Sequence, residues 1–133
     1  MKKNLITIAS MASLLLVAVM LQSAKPDEVM SKEDGMYVVN TTTLGKDVIG
    51  YVDTTPLKIY IQKDKVVKIE FLKNQETPKY FVKVKKLLAD KWNDMKVNEA
   101  LKAQVDGVTG ATFSSDAVKE NVRLGLEYYK KNK

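Results

Sequence analysis

Two runs near the middle of the chain alternate strictly. Leu57, Ile59 and Ile61 alternate with Lys58, Tyr60 and Gln62, and Val67, Ile69 and Phe71 alternate with Lys68 and Glu70. A period of two puts one set on each face of a strand, and Lys63-Asp64-Lys65 lies between the runs. The pair predicts an antiparallel hairpin with one wet face. Upstream, Met36-Tyr37-Val38-Val39 and Val48-Ile49-Gly50-Tyr51-Val52 are short, β-branched and aromatic, and predict two further strands. Downstream the period lengthens. Thr77-Pro78 has the form of an N-cap with Pro at the first helical position, and Tyr80, Val84, Leu87, Leu88 and Trp92 make a helical stripe behind it. Residues 93–105 are ambiguous, although Asn98–Ala103 fit a helical turn. Ser114, Ser115 or Asp116 can cap a last helix whose Val118, Val122, Gly125, Leu126 and Tyr129 share a face. The pattern predicts a single small α+β domain: an antiparallel sheet with a hairpin, flanked by two or three helices. There are no repeats and no low-complexity segments.

The start of the chain has a different character. Met1-Lys2-Lys3 is followed by an apolar run from Leu5 to Leu21, then by Gln22-Ser23-Ala24 and polar Lys25-Pro26-Asp27-Glu28. This is the form of an export signal, residues 1–24. The apolar stretch is at the lower margin for spanning a bilayer, and Gln22 is not the small residue preferred three before a cut after Ala24. An uncleaved anchor through residues 5–21 stays open. In either case the rest of the chain is expected on the extracytoplasmic side. Polar residues 25–34 are expected to be a linker, and residues 35–133 the domain.

Composition removes several chemistries. The chain has no Cys and no His. Imidazole acid–base work, Ser-His-Asp machinery, disulfides, thiolate sites and Cys-ligated clusters are therefore excluded. Asp27-Glu28 and Glu33-Asp34 form no cation loop, and no metal site is expected. The formal net charge is +6, with 22 Lys+Arg against 16 Asp+Glu. A single Arg, Arg123, stands among dispersed lysines, whereas base and phosphate readers favour the Arg fork. Nucleic acid is not an expected partner. No carboxylate pair or positioned nucleophile is visible, so no catalytic residue is expected.

One stretch carries chemistry: Asp106-Gly107-Val108-Thr109-Gly110-Ala111-Thr112-Phe113-Ser114-Ser115. It sets two glycines and several hydroxyls just before a predicted helix. Glycines allow positive φ and close approach of a ligand, and helix-start N–H groups favour an anion. Thr109, Thr112, Ser114 and backbone amides thus make a candidate phosphate site. The same residues also suit an ordinary loop and cap, and the spacing is neither a P-loop nor a dinucleotide fingerprint.

Asp106-Gly-Val-Thr-Gly-Ala-Thr112 resembles the flavinylation motif of the FMN-binding domain family. That domain occurs in the C subunit of the sodium-translocating NADH:quinone oxidoreductase, in the G subunit of the Rnf complex and in many small exported proteins. Gln75-Glu76-Thr77-Pro78-Lys79-Tyr80 is similar to the family's Glu-Thr-Pro segment, which lies close to the flavin. The order of Gly50-Tyr51, Thr55-Pro56-Leu57, the hairpin and Glu-Thr-Pro is also the family's. The resemblance implies FMN joined through its phosphate to Thr112 by a flavin transferase that uses FAD and magnesium, with Asp106 part of what the transferase recognises. It implies further that Gly107, Thr109, Gly110, Ala111, Ser114 and Ser115 surround the attachment, with Glu76 and Thr77 near the cofactor. Where many relatives have Gly after Glu-Thr-Pro this chain has Lys79, which adds positive charge near the flavin or extends the helix. The chain is shorter than the respiratory-complex subunits.

The function expected on this resemblance is an exported electron-transfer flavoprotein, itself the substrate of a flavin transferase, that exchanges electrons with membrane or envelope redox partners. Two alternatives remain: reversible binding of FMN or another phosphate ligand, and a structural envelope domain without redox activity. Tyr80, Phe81 and Trp92 are expected in the core, with one of them a candidate to pack on the isoalloxazine.

Overall fold

The computed structural model of the chain describes residues 28–133. The expected signal or anchor, residues 1–24, lies outside the described residues. Four strands, β1 (Met30–Glu33), β2 (Met36–Asn40), β3 (Leu57–Gln62) and β4 (Lys65–Phe71), form one antiparallel sheet in the order β1-β2-β3-β4. Three helices follow, α1 (Pro78–Leu88), α2 (Val97–Lys102) and α3 (Thr112–Asn132). This is the small α+β domain that the pattern predicts. Val39, Leu57, Ile59, Ile61, Val66 and Ile69 of the sheet are buried with Phe81, Val84 and Leu88 of α1 and with Val118, Val122 and Leu126 of α3.

The expected linker is partly strand. Residues 30–33 pair with β2 from Met30↔Val39 to Glu33↔Met36, and Met30 packs against the core. The cause is the Asp34-Gly35 turn, with both residues at positive φ (51° and 79°), the backbone that joins antiparallel strands most tightly. The predicted strand at 48–52 does not form. Only an isolated Ile49↔Thr54 bridge exists there, because the N–H groups that a ladder would use go to a side chain described below.

The β3–β4 hairpin forms with a shifted phase. Tyr60 pairs with Lys68 but Ile61 with Val66, so Val67 is the extra residue of a bulge. Val66 and Ile69 therefore both point inward, and Val67, predicted inward, is 38% exposed. The turn residues Lys63 and Asp64 adopt positive φ without being glycine (52° and 60°). Asp64 is tied to the far end of α3, where Tyr129 Oη (2.5 Å) and Lys133 Nζ (2.8 Å) donate to its carboxylate. Those two donors, Lys133 foremost, hold the carboxyl below its ordinary range. The opposite face of the sheet is not wholly wet: Val38 and Tyr60 are cross-strand partners and both are buried.

The α1 stripe is Phe81, Val84 and Leu88, with Trp92 buried beyond the helix end. Tyr80 and Leu87, predicted on that stripe, are 38% and 49% exposed. The spacing admits either neighbouring face, and the large Phe81 ring, edge-on to Phe71 at 5.8 Å, decides between them. Val97–Lys102 confirms the helical turn expected in the ambiguous stretch.

Two outcomes follow for stability. Val66→Ala is expected to cost at least about 1.6 kcal/mol, at roughly 0.8 kcal/mol per buried methylene. Val67→Ala is expected to stay within about 0.5 kcal/mol. Urea melts of both variants test the shifted phase, which equal losses would contradict. Separately, the Tyr60 hydroxyl donates to Glu70 Oε2 at 2.7 Å, which together with burial pushes its pKa up to about 12. A group whose folded pKa is raised stabilises below its unfolded value, near 10, and that stability is lost as pH climbs toward 12. Tyr60→Phe should flatten this part of the alkaline stability profile.

Candidate functional site

The loop before α3 is shaped by small residues and buried apolar ones. Val108 and Ala111 are buried, and the Ala111 N–H donates to Val108 O at 2.9 Å across a turn with Gly110 at φ +83°. Only glycine takes that φ without strain. Helix α3 therefore starts at Thr112, earlier than the predicted cap at Ser114, Ser115 or Asp116, and Ala111 occupies the N-cap with no side-chain hydrogen bond. The two serines are diverted inward within the first turn. Ser115 Oγ accepts the Val108 N–H (3.2 Å) and donates to Thr112 O (3.1 Å), while the Ser114 hydroxyl donates to Glu76 Oε1 at 2.8 Å. The first amides of α3 thus lack both an intrahelical acceptor and a side-chain cap. Thr112 itself is exposed, and among the described residues no side chain hydrogen-bonds its hydroxyl.

Glu76 is 4% exposed and acts as an acceptor on every side. Oε1 accepts the Tyr51 N–H (2.7 Å) as well as Ser114, and Oε2 accepts the N–H groups of Val52 (2.6 Å) and Asp53 (3.1 Å). A turn closed by Gly50 N–H to Asp53 O at 2.9 Å wraps the carboxylate. A Cβ on Gly50 would lie 2.0 Å from Glu76 Oε1, so this approach requires glycine. Behind the turn, buried Asn121 of α3 reaches Thr55 O (3.1 Å), Thr55 Oγ1 (3.1 Å) and Ala117 O (2.9 Å) through Nδ2. Loop and helix start are thereby bound into one unit, with the Tyr51 and Phe113 rings side by side at 6.4 Å and a tilt of 33°.

These elements enclose a cleft of about 360 Å³ lined by Tyr51, Tyr80 and the segment from Gly110 to Ser114. Of the residues singled out in the sequence, Gly110, Ala111, Thr112 and Ser114 meet in it. Asp106, Gly107 and Thr109 are exposed on the loop leading to it. Ser115 and Glu76 are buried behind its wall, and half-buried Thr77 is the α1 N-cap without a side-chain bond. Phe81 and Trp92 are core residues, whereas Tyr80 lines the cleft with Lys79 Nζ 5.8 Å from its ring. Lys79 also extends α1 as its second residue. Arg123 lies away from the cleft, its fork engaged by Glu120 and Glu127. Among the described residues no cluster of carboxylates could hold a metal.

Phe113, although within the Asp106–Ser115 stretch, and Asn121 have places in this unit that the sequence does not predict. A polar residue on an otherwise apolar helical face was the available signal for Asn121. Phe113 had none, because exposure of an aromatic depends on tertiary contacts. The cleft suits a flavin mononucleotide: an exposed hydroxyl and uncapped amides at one end match a phosphate, and aromatic walls match a flat ring.

Glu76→Gln should loosen this unit, since an amide NH₂ would face N–H or O–H donors. The expected loss is roughly 1–3 kcal/mol for a buried unsatisfied polar group. Hydrogen exchange at Tyr51, Val52 and Asp53 should accelerate, and unchanged protection there would contradict the assignment.

The model of the FMN-binding domain family matches residues 50–127, from the Gly50 turn through the hairpin, Glu76 and the Thr112 loop into α3. Neither curated proteins nor solved structures provide a significant match. The match and the cleft agree: the chain belongs to the FMN-binding domain family, and FMN is its cofactor.

Proposed function

We propose that the protein carries FMN covalently on Thr112 and serves as an exported electron-transfer module. The observation that supports this best is the Thr112 hydroxyl, exposed and unbonded on the uncapped first turn of a helix, in an aromatic-lined cleft. A flavin transferase must bring that hydroxyl to an activated phosphoryl group. In that reaction the Thr112 oxygen would bond to the flavin-side phosphorus of FAD as the P–O bond to the AMP moiety breaks, so that a phosphodiester, AMP and the released hydroxyl proton are the products. Exposed Asp106 and the small residues through Ala111 leave the loop accessible to such an enzyme. The phosphodiester keeps one negative charge, which the start of α3 stabilises by roughly 0.3–1 kcal/mol.

FMN when bound supplies one- and two-electron redox chemistry. The described residues hold the attachment point and shape the cleft, and the one reacting group proposed here, the Thr112 hydroxyl, is consumed in attaching the cofactor, which is the role of a carrier. A tether prevents loss of a cofactor that is not easily replaced outside the cytoplasm, where residues 1–24 direct the domain. Electrons arrive from a membrane-bound reductase and leave to another envelope carrier or a terminal reductase. Among the described residues no helix is long and apolar enough to cross a membrane.

Intact mass of the protein exported by a host that expresses a flavin transferase tests the reading. The expected result is a gain of one FMN less water, with yellow colour that survives denaturation, and neither in Thr112→Val. An unmodified mass beside active transferase would overturn the covalent link. Colour lost on denaturation would then indicate reversible FMN binding.

A further inference from the structure

We propose that Tyr51 and Phe113 form the stacking surface for the isoalloxazine ring, and that Glu76 is the positioning residue that holds both in place. The inference deepens the function proposed above, and it rests on that function for FMN as occupant of the Thr112 cleft. Tyr51 and Phe113 are 66% and 67% exposed. An aromatic side chain covers 150–250 Å² when buried, so two such rings left bare side by side mark a surface with an occupant. The contrast with the core is direct. Phe71 and Phe81 meet edge-on at 89° and fill space, whereas Tyr51 and Phe113 are tilted by only 33° and both line the cleft. Val82 and Leu87 are exposed too, but they are aliphatic and do not line the cleft. Phe113 adjoins Thr112 in the chain, which keeps the wall within reach of a ligand tethered there.

The two rings come from distant segments that meet at one carboxylate. The backbone N–H groups of Tyr51, Val52 and Asp53 and the hydroxyl of Ser114, next to Phe113, all donate to Glu76. Glu76 does not line the cleft, so it acts on the ring only through the residues it holds.

Riboflavin, which has the ring but no phosphate, tests the wall without the tether. It is titrated by fluorescence into full-length protein made without flavin transferase. We expect Tyr51→Leu/Phe113→Leu to weaken binding about tenfold or more, while Tyr51→Phe and Val82→Thr retain it. Both aromatic side chains lie outside the core, and far-UV circular dichroism confirms that the variants fold. Glu76→Gln should weaken binding in the otherwise unchanged protein but add little in the Tyr51→Leu/Phe113→Leu background. That non-additivity would not arise from a merely structural role. No riboflavin binding, or equal binding by the double variant, would overturn the stacking surface even if Thr112 gains FMN. Additive losses would overturn the role of Glu76. Ring-dependent riboflavin binding in a protein that gains no FMN mass upholds the wall and removes only the covalent link.

Discussion

The carboxylate of Glu76 is the point at which the loop after Gly50 and the start of α3 are joined. Four donors converge on two oxygens, and three of them are consecutive backbone N–H groups. Burial of the Glu76 carboxylate makes this arrangement consequential, because a carboxylate removed from water without donors carries a large penalty. The loop therefore curls around the carboxylate instead of extending as a strand, and its Tyr51 lines the cleft. Gly50 is the steric condition for that approach.

The rest of the fold supplies a rigid platform for this junction. The meander from β1 to β4 is joined at two of its turns by positive-φ residue pairs, and a bulge at Val67 returns both Val66 and Ile69 to the core. Asp64 connects the hairpin turn to the last turn of α3 through Tyr129 and Lys133. Helix α3 is consequently held near both ends, at Asp64 and at Glu76, with its apolar face on the sheet between them. A helix so fixed presents its first residue, Thr112, in a constant position relative to Tyr51 and Tyr80.

That position has a chemical consequence. Turning Ser114 and Ser115 inward removes the hydroxyls that would otherwise cap the helix, and leaves its first amides uncapped beside the exposed Thr112 hydroxyl. The geometry that would be a loss in an ordinary helix is what a phosphate ester at Thr112 would use. Aromatic walls complete a site that is polar at the attachment point and apolar away from it.

Much of this was legible in the chain itself. Alternation at 57–61, the Thr77-Pro78 helix start and the stripe from Val118 to Tyr129 report which faces are apolar, and the Thr112 segment reports its family through local residue identity. Asp34-Gly35 also carried the turn signal that makes residues 30–33 a strand. Tertiary structure decided what depends on partners distant in sequence. It turned the predicted strand at 48–52 into a loop, because Glu76 captures its N–H groups, and it moved the start of α3 to Thr112, because Glu76 and Val108 engage the serines. It also set which hairpin valine is buried, since the bulge breaks the period of two on which the reading relied. Local periodicity records the burial of a face, whereas long-range hydrogen bonds determine where each polar group ends, and those bonds make the cleft.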